Sequence, residues 1–270
     1  MLIDLLKAFL ALGIMGLVFG GALGIAGHFF RVDEDPRKGK ILEVLPGANC
    51  GGCGYAGCAN YAEAVVAGKA PCNLCPVAKN EGAEAIAAIM GTGVEERRPM
   101  VAHIRCSGSH DIANKKYTYY GMNDCLAASR LLGGYMKCQY GCLGFGNCVK
   151  KCPQNAISIQ NGVAVVDRDS CVGCGICLDV CPKSVIELIP KDGAVLVSCS
   201  SKDKGARTRV ACNAGCIGCK ICEKNCPEGA IVVHDNVAVI DYEKCSACGI
   251  CAEKCPRHLL DFSVKQPVAE

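Results

Sequence analysis

The chain has no tryptophan, and aromatic residues make up only 5% of its 270 positions. Small units built from such a sequence have too few large apolar side chains for an ordinary core. An excess of one charge is missing as well, since 29 basic against 26 acidic residues leave a formal net charge of +3. That balance excludes neither nucleic acid nor acidic proteins as partners. The basic residues are scattered, however, and no basic-aromatic stacking platform appears, which argues against nucleic-acid binding. No G-x-G-x-x-G follows a predicted strand and no P-loop is present, so nucleotide binding has no motif here. Between Ala8 and Phe30 there is no Asp, Glu, Lys or Arg.

As a helix, that 23-residue run is about 35 Å long, enough to cross a hydrocarbon core with some tilt. It is too long for a cleavable signal, and no small-x-small site precedes the charged stretch. Glycines 13, 16, 20, 24 and 27 form a stripe down one helical face. Small-x3-small pairs let another helix approach closely, although glycine is also simply common in membrane helices. The stripe points to a packed interface in a larger membrane complex, and His28 reads as an interfacial side chain. Lys7 precedes the run, and Arg31, Arg37, Lys38 and Lys40 follow it. The positive-inside bias therefore predicts a single-pass protein of the cell (inner) membrane with its large domain in the cytoplasm.

What the sequence has in abundance is cysteine, 25 residues in all. An odd, clustered set without a signal peptide opposes a disulfide scaffold. The spacing is that of iron–sulfur ligation. Cys142, Cys148 and Cys152-Pro153 are followed by Cys171, Cys174, Cys177 and Cys181-Pro182; 74 positions on, Cys216, Cys219, Cys222 and Cys226-Pro227 are followed by Cys245, Cys248, Cys251 and Cys255-Pro256. C-x2-C-x2-C-x3-C-P is the two-cluster ferredoxin run, in which the fourth thiolate ligates the neighbouring [4Fe–4S] cube. Zinc sites normally end after four ligands without such a tail. The metal must supply much of the folding free energy.

Upstream lie Cys50-Gly-Gly-Cys53-Gly-Tyr-Ala-Gly-Cys58 and then Cys75-Pro76. Glycines between the thiolates let the backbone wrap a cube. Cys50, Cys53, Cys58 and Cys75 form the expected ligand set, with Cys72 as rival for the fourth place. An alanine-rich helix over 78–90 is predicted to pack over this cluster.

A glycine-rich membrane helix, a C-G-x-C-G-Y-x-G-C domain and two-cluster modules, in this order, resemble the B subunit of the Rnf complex, an ion-translocating ferredoxin:NAD oxidoreductase. The likeness spans essentially the whole chain and looks like the long form, with two two-cluster modules. It implies an electron-relay (translocase) subunit that accepts electrons from soluble ferredoxin. Flavin and NAD binding, and coupling to sodium or proton movement, would involve sister subunits. No catalytic residue is expected in this chain.

The expected fold is α+β: a transmembrane anchor (1–30), a linker (31–40), a four-iron domain (41–92), a connecting segment (93–134), ferredoxin-like module 1 (135–190), a connector (191–211), module 2 (212–262) and a tail (263–270). Each module is predicted as β-α-β-β-α-β, with hairpins about Asn161-Gly162 and Asp235-Asn236. Module 2 supplies the sets Cys216/219/222/255 and Cys226/245/248/251, and module 1 supplies Cys152/171/174/177. Its other set lacks one thiol, because Phe145 stands where module 2 has Cys219. Cys138 is expected to fill the gap, giving Cys138/142/148/181; the alternative is a three-thiolate site. Of the remaining thiols, Cys106, Cys125, Cys199 and Cys212 make a candidate sixth cluster, or else buried small hydrophobes. Lys137, Lys150, Lys151, Lys220 and Lys224 either attract an acidic ferredoxin or are ordinary surface lysines. Rival functions are an adaptor subunit of another membrane reductase or hydrogenase and a membrane-tethered redox sensor.

Overall fold

The computed structural model describes residues 2–29 and 35–262. The expected tail at 263–270, Phe30 and positions 31–34 of the expected linker lie outside the described residues. Helix α1 (Leu2–Phe29) contains an apolar window, Leu12–Phe29, long enough to cross a bilayer, none of it buried against the rest of the chain. Cβ atoms added at the five stripe glycines would meet nothing within 4 Å.

The expected linker gives way to a helix from residue 36. In α2 (Pro36–Val44), the Asp35 carboxylate caps the N-terminus by accepting from the Arg37 N–H (2.8 Å), and Pro36 occupies the first turn. Proline costs nothing where no N–H partner exists. Ile41 of this helix is fully buried, packed with Tyr61 and Val65 of α3 (Cys58–Val66) and Ile86 of α4 (Lys79–Met90). The Tyr61 hydroxyl donates to the Pro71 carbonyl (2.8 Å) and accepts from the Leu74 N–H (3.2 Å). That pair ties the loop carrying Cys72 and Cys75 to α3.

Module 1 takes its first strand from further upstream than position 135. Strand β1 (Met100–Ile104) pairs antiparallel with the closing strand of the module. Between them come α5 (Cys125–Arg130), α6 (Asn147–Lys151), the hairpin β2 (Ile157–Gln160) and β3 (Val163–Val166), and α7 (Ile176–Asp179); β4 (Ile186–Pro190) then closes on β1. Module 2 repeats the plan, its first strand likewise preceding position 212. β5 (Leu196–Val197) is followed by α8 (Gly205–Ala211), α9 (Ile221–Lys224), the hairpin β6 (Ile231–His234) and β7 (Val237–Ile240), and α10 (Ile250–Glu253); β8 (Leu260–Asp261) pairs with β5. The stretch between β1 and the cysteine run separates the strand from its module in sequence and hides it from pattern reading. Both hairpins turn where expected, with positive φ at Asn161 (44°), Gly162 (78°), Asp235 (48°) and Asn236 (62°), the left-handed pair that matches strand twist.

The modules are stitched together by backbone. The Ser107 N–H donates to the Ser198 carbonyl (3.1 Å), Asn114 N–H to Ala211 (2.9 Å) and Asn213 N–H to Ile112 (3.0 Å), and an isolated bridge joins Ala113 to Cys212. The Arg98 guanidinium adds ion pairs to Asp192 (3.1 Å) and Glu243 (2.8 Å).

Candidate iron–sulfur centres

The two cysteine runs fold so that their thiols ring cavities. Cys216, Cys219, Cys222 and Cys255 line one, with Ile217, Val233 and Leu259. Cys226, Cys245, Cys248 and Cys251 line a second, with Val195, Ile231 and Ile240. A zinc ion gathers its sulfurs about 2.3 Å from one point. Among the described residues no three His, Cys, Asp or Glu side chains are grouped as they would be around a single metal ion. Thiols spread around a cavity fit the corners of a larger cluster, and the donor set of four cysteines fits a cube.

The third cavity departs from expectation. Cys142, Cys148 and Cys181 line it with Cys125, not with Cys138. The Asn147 side chain explains the exchange. Its Oδ1 accepts from the Cys125 N–H (3.0 Å), and its Nδ2 donates to Asp124 Oδ2 (2.8 Å), while Asp124 caps α5 through the Ala127 N–H (2.7 Å). Cys125 is thereby moored beside Cys148. Phe145 turns to an aromatic group instead, with ring centroids 5.4 Å from Tyr119 and 5.7 Å from Tyr135. Cys138 lies with Cys106, Cys199 and Cys212 on a different cavity, so the expected sixth group also changes, exchanging Cys125 for Cys138. Module 2 has Ile221 where module 1 has Asn147; that difference, next to the Phe145 one, is the signal in the sequence.

The remaining expected groups are held by packing. Cys174 lies within electrostatic reach of Cys50, Cys152 and Cys171, and Cys177 within reach of Cys174, Cys171 and Cys148. In the amino-terminal domain Cys75 lies near Cys53 and Cys58; burial raises its pKa, and the Ala78 and Val77 N–H groups pull it back. The Cys72 sulfur approaches Thr92 Oγ1 (3.7 Å).

Burial pushes Cys177 up to about 12 and Cys148 and Cys222 up to about 11. Thiols this desolvated ionise when a coordinated cation compensates them. Backbone donors are aimed at the sulfurs. The Ala156 N–H meets Cys152 Sγ (3.4 Å), and Ala230 N–H, 74 positions on, meets Cys226 Sγ (3.3 Å); Ala102 N–H meets Cys171 Sγ (3.3 Å). Such bonds favour the anionic sulfur and tune reduction potential.

The groups adjoin one another. A Cβ added at Gly52 would sit 2.9 Å from Cys174 Cβ, so the Cys50–Cys58 loop rests on module 1. Cys177 has Cys148 as a neighbour. The Cys142 N–H donates to Cys106 Sγ (3.4 Å), the Cys216 N–H to Cys199 Sγ (3.3 Å), and Cys222 and Cys251 share one core. Gly52→Val is expected to push the loop away from Cys174 and slow electron exchange between the amino-terminal domain and module 1 at unchanged iron content. Time-resolved reduction alongside iron analysis checks this.

Comparison with known proteins agrees with this layout. An Fe-S cluster family model matches residues 45–77, and 4Fe-4S dicluster domain models match 137–185 and 215–260. The chain is 48% identical over 236 residues (87% of this chain, 83% of the relative) to the B subunit of the proton-translocating ferredoxin:NAD(+) oxidoreductase complex of Clostridium ljungdahlii. It is 42% identical to the Na(+)-translocating counterpart of Acetobacterium woodii, covering 87% of this chain and 71% of the relative. It is also 42% identical to the B subunit of the ion-translocating oxidoreductase complex of Methanosarcina acetivorans, covering 95% of this chain and 98% of the relative. With such identity over most of its length, the chain belongs to the family of B subunits of ion-translocating ferredoxin:NAD(+) oxidoreductase (Rnf) complexes, as an iron–sulfur electron-transfer subunit.

Proposed function

We propose that this subunit takes electrons from reduced soluble ferredoxin at module 2 and hands them to partner subunits at the membrane from the Cys50–Cys75 domain. The clusters, when bound, exchange single electrons; the chain sets their order, insulation and potentials. Five ligand sets are proposed: Cys50/53/58/75, Cys152/171/174/177, Cys125/142/148/181, Cys216/219/222/255 and Cys226/245/248/251. The observation that carries the direction is the row of adjoining groups. At one end, Gly52 rests on Cys174 in the domain that follows the apolar helix; at the other, Cys219 and Cys248 are exposed, whereas the other thiols of the runs are covered or partly covered. A sulfur ligand open to solvent is where a soluble carrier comes close. Helix α1 anchors the chain, and the positive charges after it support a cytoplasmic location for the rest. The relatives move different ions, protons in one and sodium in another, so this subunit's likeness does not fix the ion.

Lys220 follows the exposed Cys219 directly, and Lys224 comes one helical turn later, at the end of α9. Reversing both to Glu is expected to slow reduction by an acidic ferredoxin about tenfold at low salt, with the difference shrinking as salt rises. Rapid mixing of the purified protein with reduced ferredoxin measures it. Equal rates at every ionic strength would move the docking site away from module 2.

A further inference from the structure

One stretch of module 1 is longer than the shared plan requires. Residues 107–137 separate Cys106 from Cys138, against residues 200–211 between the equivalent Cys199 and Cys212 of module 2. Module 2 closes its strands without the extra length. The insertion brings Cys125 to its cavity, but that occupies only the start of α5, and much of the rest faces outward. Of the twelve large apolar side chains that stay exposed outside α1 among the described residues, five fall between positions 120 and 132. Tyr120 is 93% exposed, Leu132 74% and Met122 73%, and Leu126 and Leu131 are about half exposed. The other seven are spread over both modules. Scattered apolar residues on a surface are ordinary, whereas a cluster marks a place of contact.

The segment is fixed by its own hydrogen bonds. The Tyr117 hydroxyl donates to the Leu131 carbonyl (2.8 Å), Lys116 Nζ to the Leu132 carbonyl (3.0 Å) and Lys150 Nζ to the Asn123 carbonyl (3.4 Å). The Tyr119 ring packs on Tyr135 and Phe145. Leu132 is the most telling member. Its φ of 52° lies in the left-handed region, which favours Gly and Asn and strains a leucine. Being mostly exposed, it recovers little of that cost by burial within the chain. Contact with another molecule supplies the burial.

Charge identifies the occupant. Residues 112–151 hold six basic side chains, Lys115, Lys116, Arg130, Lys137, Lys150 and Lys151, all exposed, against one carboxylate. That carboxylate, Asp124, is committed internally: it accepts from the Ala127 N–H (2.7 Å) and from Asn147 Nδ2 (2.8 Å). The surface therefore has an apolar centre in cationic surroundings, the complement of an apolar patch edged by Asp and Glu. So apolar a centre suits a lasting neighbour better than a carrier that leaves at every turnover. The family to which the chain belongs works within multi-subunit complexes.

We infer that the 116–132 face of module 1 seats a sister subunit of the complex, through a surface of that partner that is apolar at its centre and acidic at its edge. The partner covers Leu126, the neighbour of Cys125, and so comes to rest beside the cavity of Cys125, Cys142, Cys148 and Cys181. The inference rests on membership of the complex and not on the electron route proposed above.

A photo-activatable phenylalanine analogue in place of Tyr120, irradiated in the intact purified complex, tests the seat. Cross-linking to a sister subunit, at a segment rich in Asp and Glu, is expected. Cross-links only to lipid, to added ferredoxin or to a second copy of this chain overturn the inference, as does their absence. Adding Lys115→Glu and Arg130→Glu is expected to lower the yield about fivefold at low salt; an unchanged yield overturns the acidic character of the partner. Leu131→Asn with Leu132→Asn separates docking from folding. The isolated full-length variant is expected to keep its iron and to melt no lower than the unaltered protein, because Asn tolerates left-handed backbone. In the complex its cross-link from position 120 falls about tenfold. A lower melting temperature with an undiminished cross-link would show that the leucines serve the fold, and overturns their role in docking.

Discussion

Cys53→Ala in the intact complex is expected to abolish ferredoxin-dependent NAD+ reduction while leaving ferredoxin able to reduce the remaining clusters of this subunit. Cys53 belongs to the group of thiols in the amino-terminal domain, the domain closest in sequence to the apolar helix, and that group meets the rest of the row where Gly52 rests on Cys174. Losing one thiolate of four removes or degrades the cluster, and the row then ends in module 1 without an outlet. Steady-state NADH formation and freeze-quenched spectra of the same sample give both halves of the result. Undiminished NADH formation would take this domain out of the route. Cys53 is only a partly buried neighbour of the core in which Ile41, Tyr61 and Ile86 are fully buried, so helices α2 to α4 are expected to persist in the variant.

How much of this layout the sequence exposes depends on how local each feature is. The runs around Cys216–Cys226 and Cys245–Cys255 place their thiols by spacing alone, and each expected set lines one cavity. The two hairpins are equally legible, because Asn161-Gly162 and Asp235-Asn236 are short-range turn signals. Helix α2 escapes notice over 36–40 because charge at Arg37, Lys38 and Lys40 reads as a linker, while the Asp35-Pro36 cap that starts the helix is a two-residue cue. Strands β1 and β5 fall into the expected connectors because their partners, β4 and β8, close late in the chain. The exchange of Cys125 and Cys138 has the same origin. Cys138 stands four residues from Cys142, and proximity in sequence favours it; but the Lys115–Met136 bridge and the Lys137 N–H to Asn114 carbonyl bond (2.8 Å) tie the backbone just before Cys138 to residues 114–115, and the Asn114 N–H in turn donates to the Ala211 carbonyl of module 2 (2.9 Å). The 74-residue repeat misleads in turn. It equates Cys125 with Cys199, whereas in space Cys106 is the counterpart of Cys199, because both follow the first strand of a module.

The exchange makes a second large effect accessible. Cys125→Ala is expected to cost about four irons and to interrupt the row inside module 1, whereas restoring the ligand that module 2 keeps, by adding Phe145→Cys, returns the iron. Phe145 occupies the place of Cys219, and Gly146 beside it lines the same cavity as Cys142 and Cys148, so a thiol at 145 starts from the position the repeat uses for ligation. The cost falls elsewhere. Removing the ring takes away its contacts with Tyr119 and Tyr135, and a half-buried phenylalanine lost to a small side chain destabilises by about 2 kcal/mol. The double variant should therefore carry its full iron but unfold at a lower temperature than the unaltered protein, while Phe145→Cys alone keeps the iron and shows the same loss of stability. Cys138→Ala is the discriminating control. It is expected to leave the module 1 signals dependent on Cys142, Cys148 and Cys181 intact, because Cys138 lines the cavity between the modules and not theirs. If Cys138→Ala, and not Cys125→Ala, extinguishes those signals, Cys138 is the fourth ligand of this site, as its spacing suggests, and the mooring by Asn147 has no role in ligation.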